Sequence, residues 1–93
     1  MQNGNAQNGA TLASVIKAAR GARGVSQAAL AASVGVTTPF ICDIENGRRE
    51  SASPRVLLLL AAQLGINRRK LLRIGASKHV QEWLAAHVEA GRR

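Results

Sequence analysis

Between Gln27 and Asn46 the chain reads QAALAASVGVTTPFICDIEN, two short helical stripes broken by Gly35. Two helices joined by about three or four residues meet at a wide angle, and such a corner needs particular residues at particular places. Where the helices approach closest a small side chain is required, and Ala31 supplies it. The sharp turn needs a residue that accepts positive φ, which is Gly35. An apolar residue must then pin the turn into the core, and Val36 follows the glycine. Leu30 and Val34 give the first helix its inward stripe, and Ile41 and Ile44 give the second helix the same. Any one match would carry little in a chain rich in Ala and Gly. The joint match is specific.

The rest of the chain continues in the same period. Leu12, Val15, Ile16 and Ala19 recur at i, i+3, i+4 and i+7, with Thr11 as N-cap, and the Gly21 and Gly24 pair should end this first helix. Ser26 caps the second helix. Thr37 or Thr38 caps the third, with Pro39 in its first turn, where a missing N–H is harmless. Asn46-Gly47 stops it. Ser53-Pro54 opens a fourth helix, Arg55 to Leu64, which is apolar nearly all round and is predicted to be the central buried one. Asn67 caps a fifth, with Leu71, Leu72 and Ile74 inward and Gly75 as its stop. Ser77 caps a last helix from Lys78 to Ala90. No alternating strand pattern occurs. The predicted class is all-α, with a polar tail over residues 1–10, a five-helix domain over 11–75 and a C-terminal helix within 76–93.

Composition narrows the function. Thirteen Lys and Arg against five Asp and Glu give 93 residues a net charge of +8. A polyanionic partner is the first implication, although charge alone would equally suit a membrane-surface or ribosomal protein. The charge is uneven: residues 11–75 carry ten cations against three anions, residues 76–93 three against two. Cys42 is the single cysteine, so neither an intrachain disulfide nor a Cys-pair zinc site is expected. His79 and His87 lack metal-ligand spacing, and the glycines of GARG lack a following Lys-Ser/Thr, so no metal, nucleotide or other cofactor is predicted. No acid–base grouping suggests catalysis, and the chain reads as non-enzymatic. Met1 to Ala10 has neither a basic nor an apolar stretch of a secretory signal, and no apolar run reaches the ~20 residues of a membrane span. A cytoplasmic location is expected.

With SQAALAASVGV, the IENG of Ile44 to Gly47 and the following Arg48-Arg49 in view, the sequence resembles the Cro/repressor (XRE-type) helix-turn-helix proteins of phages and bacteria, over roughly Leu12 to Ile66. The resemblance implies a five-helix, lambda-repressor-like domain whose third helix enters the major groove of double-stranded DNA. Thr37, Thr38, Cys42 and Asp43, on the outward face of that helix, would face base edges. Gln27 resembles a glutamine that binds phosphate and braces the recognition helix. Asn46, Gly47, Arg48 and Arg49 resemble a phosphate clamp, and Arg55 a further phosphate contact. Arg20 and Glu45 match a family pair that forms a largely buried salt bridge.

Three departures qualify the resemblance. Pro39 stands where some relatives carry a base-reading glutamine. Asp43 puts on the reading face a carboxylate that repels phosphate but can accept from cytosine N4. Arg68-Arg69-Lys70 opens the fifth helix, where relatives often carry acids and where the helix dipole disfavours cations. That cluster, with Arg73, reads either as an anion-binding surface or as a solvated face. On the last helix Val80, Trp83, Leu84 and Val88 form a stripe assigned to a homodimer interface, the alternative being packing on its own domain. The leading function is a dimeric, sequence-specific repressor. An antitoxin-type regulator that also binds a toxin protein, and an adaptor that reads no DNA, are the alternatives.

Overall fold

A computed structural model describes residues 11–89 of the chain. The predicted tail over residues 1–10 and the end of the predicted last helix from Ala90 onward lie outside them. Six α-helices follow one another: α1 (Leu12–Arg23), α2 (Gln27–Val34), α3 (Thr38–Glu45), α4 (Pro54–Leu64), α5 (Arg68–Gly75) and α6 (Lys78–Leu84). All six start the same way. The side chains of Thr11, Ser26, Thr37, Ser53, Asn67 and Ser77 each accept the backbone N–H three residues on, giving an otherwise orphan donor a partner. Of the two threonines offered as cap for α3, Thr37 is the one used.

α2 and α3 meet at 114°. Gly35 sits at φ 85°, a left-handed conformation that lets its N–H and that of Val36 both bond back to the Ala31 carbonyl, at 2.9 and 3.0 Å. Ala31 is buried at the corner and Val36 packs against the core. That core is one aliphatic cluster in which Ile16, Leu30, Ile41, Ile44, Leu57, Leu60 and Leu71 are the largest fully buried side chains. α4 lies at its centre, packed on α5, α2 and α1.

Three expectations change. α1 runs through Gly21 and ends at Gly24 alone. α4 is central but is not buried all round: Leu57, Leu60, Ala61 and Leu64 face the core, whereas Leu58 is 41% exposed. The C-terminal helix is α-helical only to Leu84 and widens to a π-helix over Ala85–Glu89. α5 ends at Gly75, as its sequence predicts, without a left-handed turn. The glycine is the last residue of the helix, itself buried, and Ala76 leaves with extended backbone.

Gly75 is there for lack of a side chain. A Cβ on it would lie 2.6 Å from Leu57 Cδ2 and 3.0 Å from Leu12 Cδ1, while its carbonyl accepts the Ala52 N–H at 2.9 Å. α5 therefore approaches α4 and α1 through bare backbone. Gly75→Ala should destabilise the domain by about 1–2 kcal/mol, overpacking outweighing the gain in helix propensity. Gly21→Ala, with nothing within 4 Å of the new Cβ, should instead stabilise by about 0.5–1 kcal/mol. Paired urea titrations check the opposite signs; two shifts of the same sign would contradict the packing account.

Candidate nucleic-acid interface

The placement of α3 rests on one buried charge. Glu45, its last residue, has a side chain only 3% exposed. A carboxylate there is costly unless fully partnered. Arg20 of α1 meets it with a two-pronged contact, Nε to Oε2 at 2.6 Å and Nη2 to Oε1 at 2.9 Å, and its Nη1 donates to the Val25 carbonyl at 2.8 Å. Gln27, the first residue of α2, donates from Nε2 to Oε1 at 3.0 Å. Burial pushes the Glu45 carboxyl up, but the hydrogen bonds from Arg20 and Gln27, aided by the charges of Arg20 and Lys17, outweigh it and hold the group below its ordinary value. The bond to Glu45 raises the Arg20 guanidinium in turn. One carboxylate thus ties α1, α2 and α3 together. Gln27 braces α3 through Glu45, which leaves its second amide proton for an outside acceptor.

On the outward side of α3, Thr37, Thr38 and Pro39 are exposed, and Cys42 and Asp43 are half-buried. Pro39, Asp43 and Asn46 share one ridge at i, i+4 and i+7. Asn46 folds back along the helix, donating from Nδ2 to Cys42 Sγ at 3.2 Å. After Asn46 the chain doubles under the end of α3: Gly47, at φ 79°, donates to the Ile44 carbonyl at 3.1 Å and Arg49 to that of Asp43 at 3.0 Å. This hairpin-like return sets two arginines beside the helix. Arg48 donates from Nε to Asp43 Oδ1 at 3.0 Å. The Arg49 guanidinium carbon lies 4.4 Å from the centre of the Phe40 ring, a cation–π contact that stiffens a side chain otherwise free to wander.

Sequence reasoning missed both pairings. It read Asp43 and Arg48 as separate contacts and gave Phe40 no role. The helical spacing of Phe40 and Asp43 was available, but where the chain returns after Gly47 depends on bonds to α3 carbonyls that no local pattern announces. Arg55, in the first turn of α4, is exposed with its side chain in no ion pair among the described residues. Arg48 and Arg49 therefore stand exposed beside α3, each already oriented by it, and Arg55 is exposed at the start of the next helix.

The stripe on α6 divides. Val80 is half-buried and packs against the core, in keeping with the alternative that this helix packs on its own domain. Trp83 is 51% exposed, with its ring stacked on His87 at 4.9 Å between centroids. Leu84 and Val88 have side chains outside the described set. Among the described residues no cluster of His, Cys, Asp or Glu could hold a metal ion, and no single helix is long and apolar enough to cross a membrane.

The architecture agrees with comparison to known proteins. Among solved structures, the fold is similar to that of the SinR protein/SinI protein complex, with a TM-score of 0.60 and 21% identity over 88% of this chain and 82% of that one. At that identity the likeness carries the fold alone. No curated protein matches. The family model named Helix-turn-helix (HTH_3) matches residues 16–71, which take in α2, the corner, α3 and the arginine-bearing return. That match spans more than half of the sequence, and the chain belongs to the helix-turn-helix family of Cro/C1-type DNA-binding regulators.

Proposed function

We propose that the protein is a sequence-specific repressor that binds double-stranded DNA as a homodimer, with α3 in the major groove. The observation that carries this is the surface of α3 itself. Its inner side is locked to two other helices through Glu45, its outer ridge is flanked by solvent-exposed Arg48 and Arg49, and Arg55 is exposed at the start of α4. A rigid helix with a polar ridge between cations suits a groove between two phosphate strands. In this reading Thr37, Thr38, Cys42 and Asp43 meet base edges, and Pro39 offers an apolar surface to a thymine methyl group. Gln27, Asn46, the backbone at Gly47, and Arg48, Arg49 and Arg55 hold the phosphates. Bound at a promoter, the protein excludes polymerase by occupancy.

Dimerisation is supported by Trp83. An indole half in solvent on the last helix is a large apolar surface in want of cover, and two copies would give the two half-sites that one short reading helix needs. A protein of another kind could take the same place, as the antitoxin reading requires. Selection of bound duplexes from a random pool, at fixed salt and with competitor DNA, tests both parts. The expected product is a two-fold motif with half-sites about 10 bp apart or a multiple of that. A pool that emerges unenriched would remove sequence-specific binding. An enriched single half-site would remove the dimer.

A further inference from the structure

The cations at the start of α5 stand at a corner of the molecule that the α3 surface does not include. Arg68, Arg69 and Lys70 are the first three residues of α5, and Arg73 follows at i+4 from Arg69, on the same side of the helix. A fifth cation joins from another element. Arg23, at the end of α1, reaches to the end of α4, with Nη1 3.4 Å from the Leu64 carbonyl and 2.9 Å from where a Cβ of Gly65 would lie. All five are exposed, and among the described residues none makes an ion pair. The first turn of α5 contains no acid.

Arg23 donates to the end of α4 and Arg73 sits in the last turn of α5, where the dipole favours it, but Arg68, Arg69 and Lys70 do nothing for the fold that is visible in it. The turn is already closed by Asn67, whose Oδ1 accepts the Lys70 N–H at 2.9 Å. Three cations there oppose the helix dipole, and Arg69 and Arg73 repel one another at i, i+4. α4 runs from Pro54 to Leu64, so about 14 Å of helix separates Arg55 from this corner at its end. That exceeds the Debye length of about 8 Å at physiological salt, so a duplex held along α3 leaves the corner cations unneutralised.

We propose that the Arg23–Arg68–Arg69–Lys70–Arg73 corner binds the sugar-phosphate backbone of a second DNA segment, so that the protein bridges two duplexes. The bridging, though not the corner site, rests on the reading of α3 given above. Four of the five cations are arginines, whose planar fork matches phosphate. No large apolar side chain stands exposed on α5, as insertion into a lipid surface would need. The partner is read by shape and charge, without base preference.

The test uses the full chain on beads carrying its selected operator, offered a labelled duplex of unrelated sequence. Wild type should capture that duplex. The R68A/R69A/K70A variant should capture at least about tenfold less, with the salt dependence of capture shallower by roughly 0.9 per lost contact. Its affinity for an isolated operator should move less than about twofold, because the α3 contacts are intact. Its melting temperature should rise by roughly 3–8 °C, since the removed charges were unfavourable in the fold. Undiminished capture overturns the proposal. So does a loss of operator affinity in step with capture, which would merge the corner with the α3 surface. Binding of wild type to phosphatidylserine vesicles in preference to the second duplex overturns it as well. Should wild type hold no operator, the α3 reading fails by itself; direct binding of the unrelated duplex, weakened or not in the variant, then decides for or against the corner.

Discussion

Arg20→Ala should lower the stability of the domain by about 3 kcal/mol at neutral pH, a fall in melting temperature of roughly 12–24 °C for a chain of this size. The loss is large because of what stays behind. Without Arg20, Glu45 is a carboxylate with a 3% exposed side chain and one amide donor, Gln27, in place of three hydrogen bonds. Glu45→Ala should cost less, about 1–2 kcal/mol, because Arg20 keeps its bond to the Val25 carbonyl and is 21% exposed, so solvent shares its charge. The double variant should lose less than the sum of the two. The pH dependence carries the sign. In wild type the Glu45 carboxyl lies below its ordinary value, so its contribution is full above the unfolded-state value of about 4.3 and is lost as pH falls through the lower folded one. In Arg20→Ala burial prevails and the folded value rises instead. That penalty applies above the raised value and is relieved as pH falls through it. The gap between wild type and variant should therefore narrow from pH 7 to pH 4 in paired denaturant titrations. A gap that stayed constant would mean that Glu45 is not the buried charge holding α3.

What sequence could and could not supply follows the range of the forces involved. Helix starts are local, decided by a Ser, Thr or Asn oxygen and an N–H three residues away, and the caps are legible in order, with only the choice between Thr37 and Thr38 left to the structure. The corner was equally local, since Gly35 and Val36 both bond to Ala31. Arg20 and Glu45 are 25 residues apart, and only the resemblance to a family suggested joining them. The end of α5 at Gly75 is legible in the sequence; that Leu57 and Leu12 converge on that glycine is a fact of tertiary packing. Likewise, four consecutive leucines from Leu57 to Leu60 cannot all face inward on a helix, yet their identity does not say that Leu58 is the one left in solvent. At the interface, side-chain types and helix faces were legible, and the pairings across the return after Gly47 were not.

Asp43→Ala should reduce discrimination at one base pair of the operator by about 5- to 150-fold, corresponding to about 1–3 kcal/mol, while raising affinity for unrelated duplexes. Both effects come from one carboxylate. In the proposed docking it repels phosphate everywhere, and only a cytosine N4 donating to it would offset that. Arg48 reduces that repulsion, its Nε 3.0 Å from Asp43 Oδ1, while its two terminal nitrogens remain for a phosphate. Arg48→Ala should therefore weaken binding to every duplex and flatten the salt slope by about 0.9. The two substitutions together separate the roles. With the side chains 66% and 40% exposed, the pair is worth at most about 1 kcal/mol, too little to carry the whole base preference. The specificity change from Asp43→Ala should thus persist in the Arg48→Ala background, measured as the ratio of affinities for operators that differ at that base pair. If the change disappears there, Asp43 acts by aiming Arg48, and the arginine is the reader.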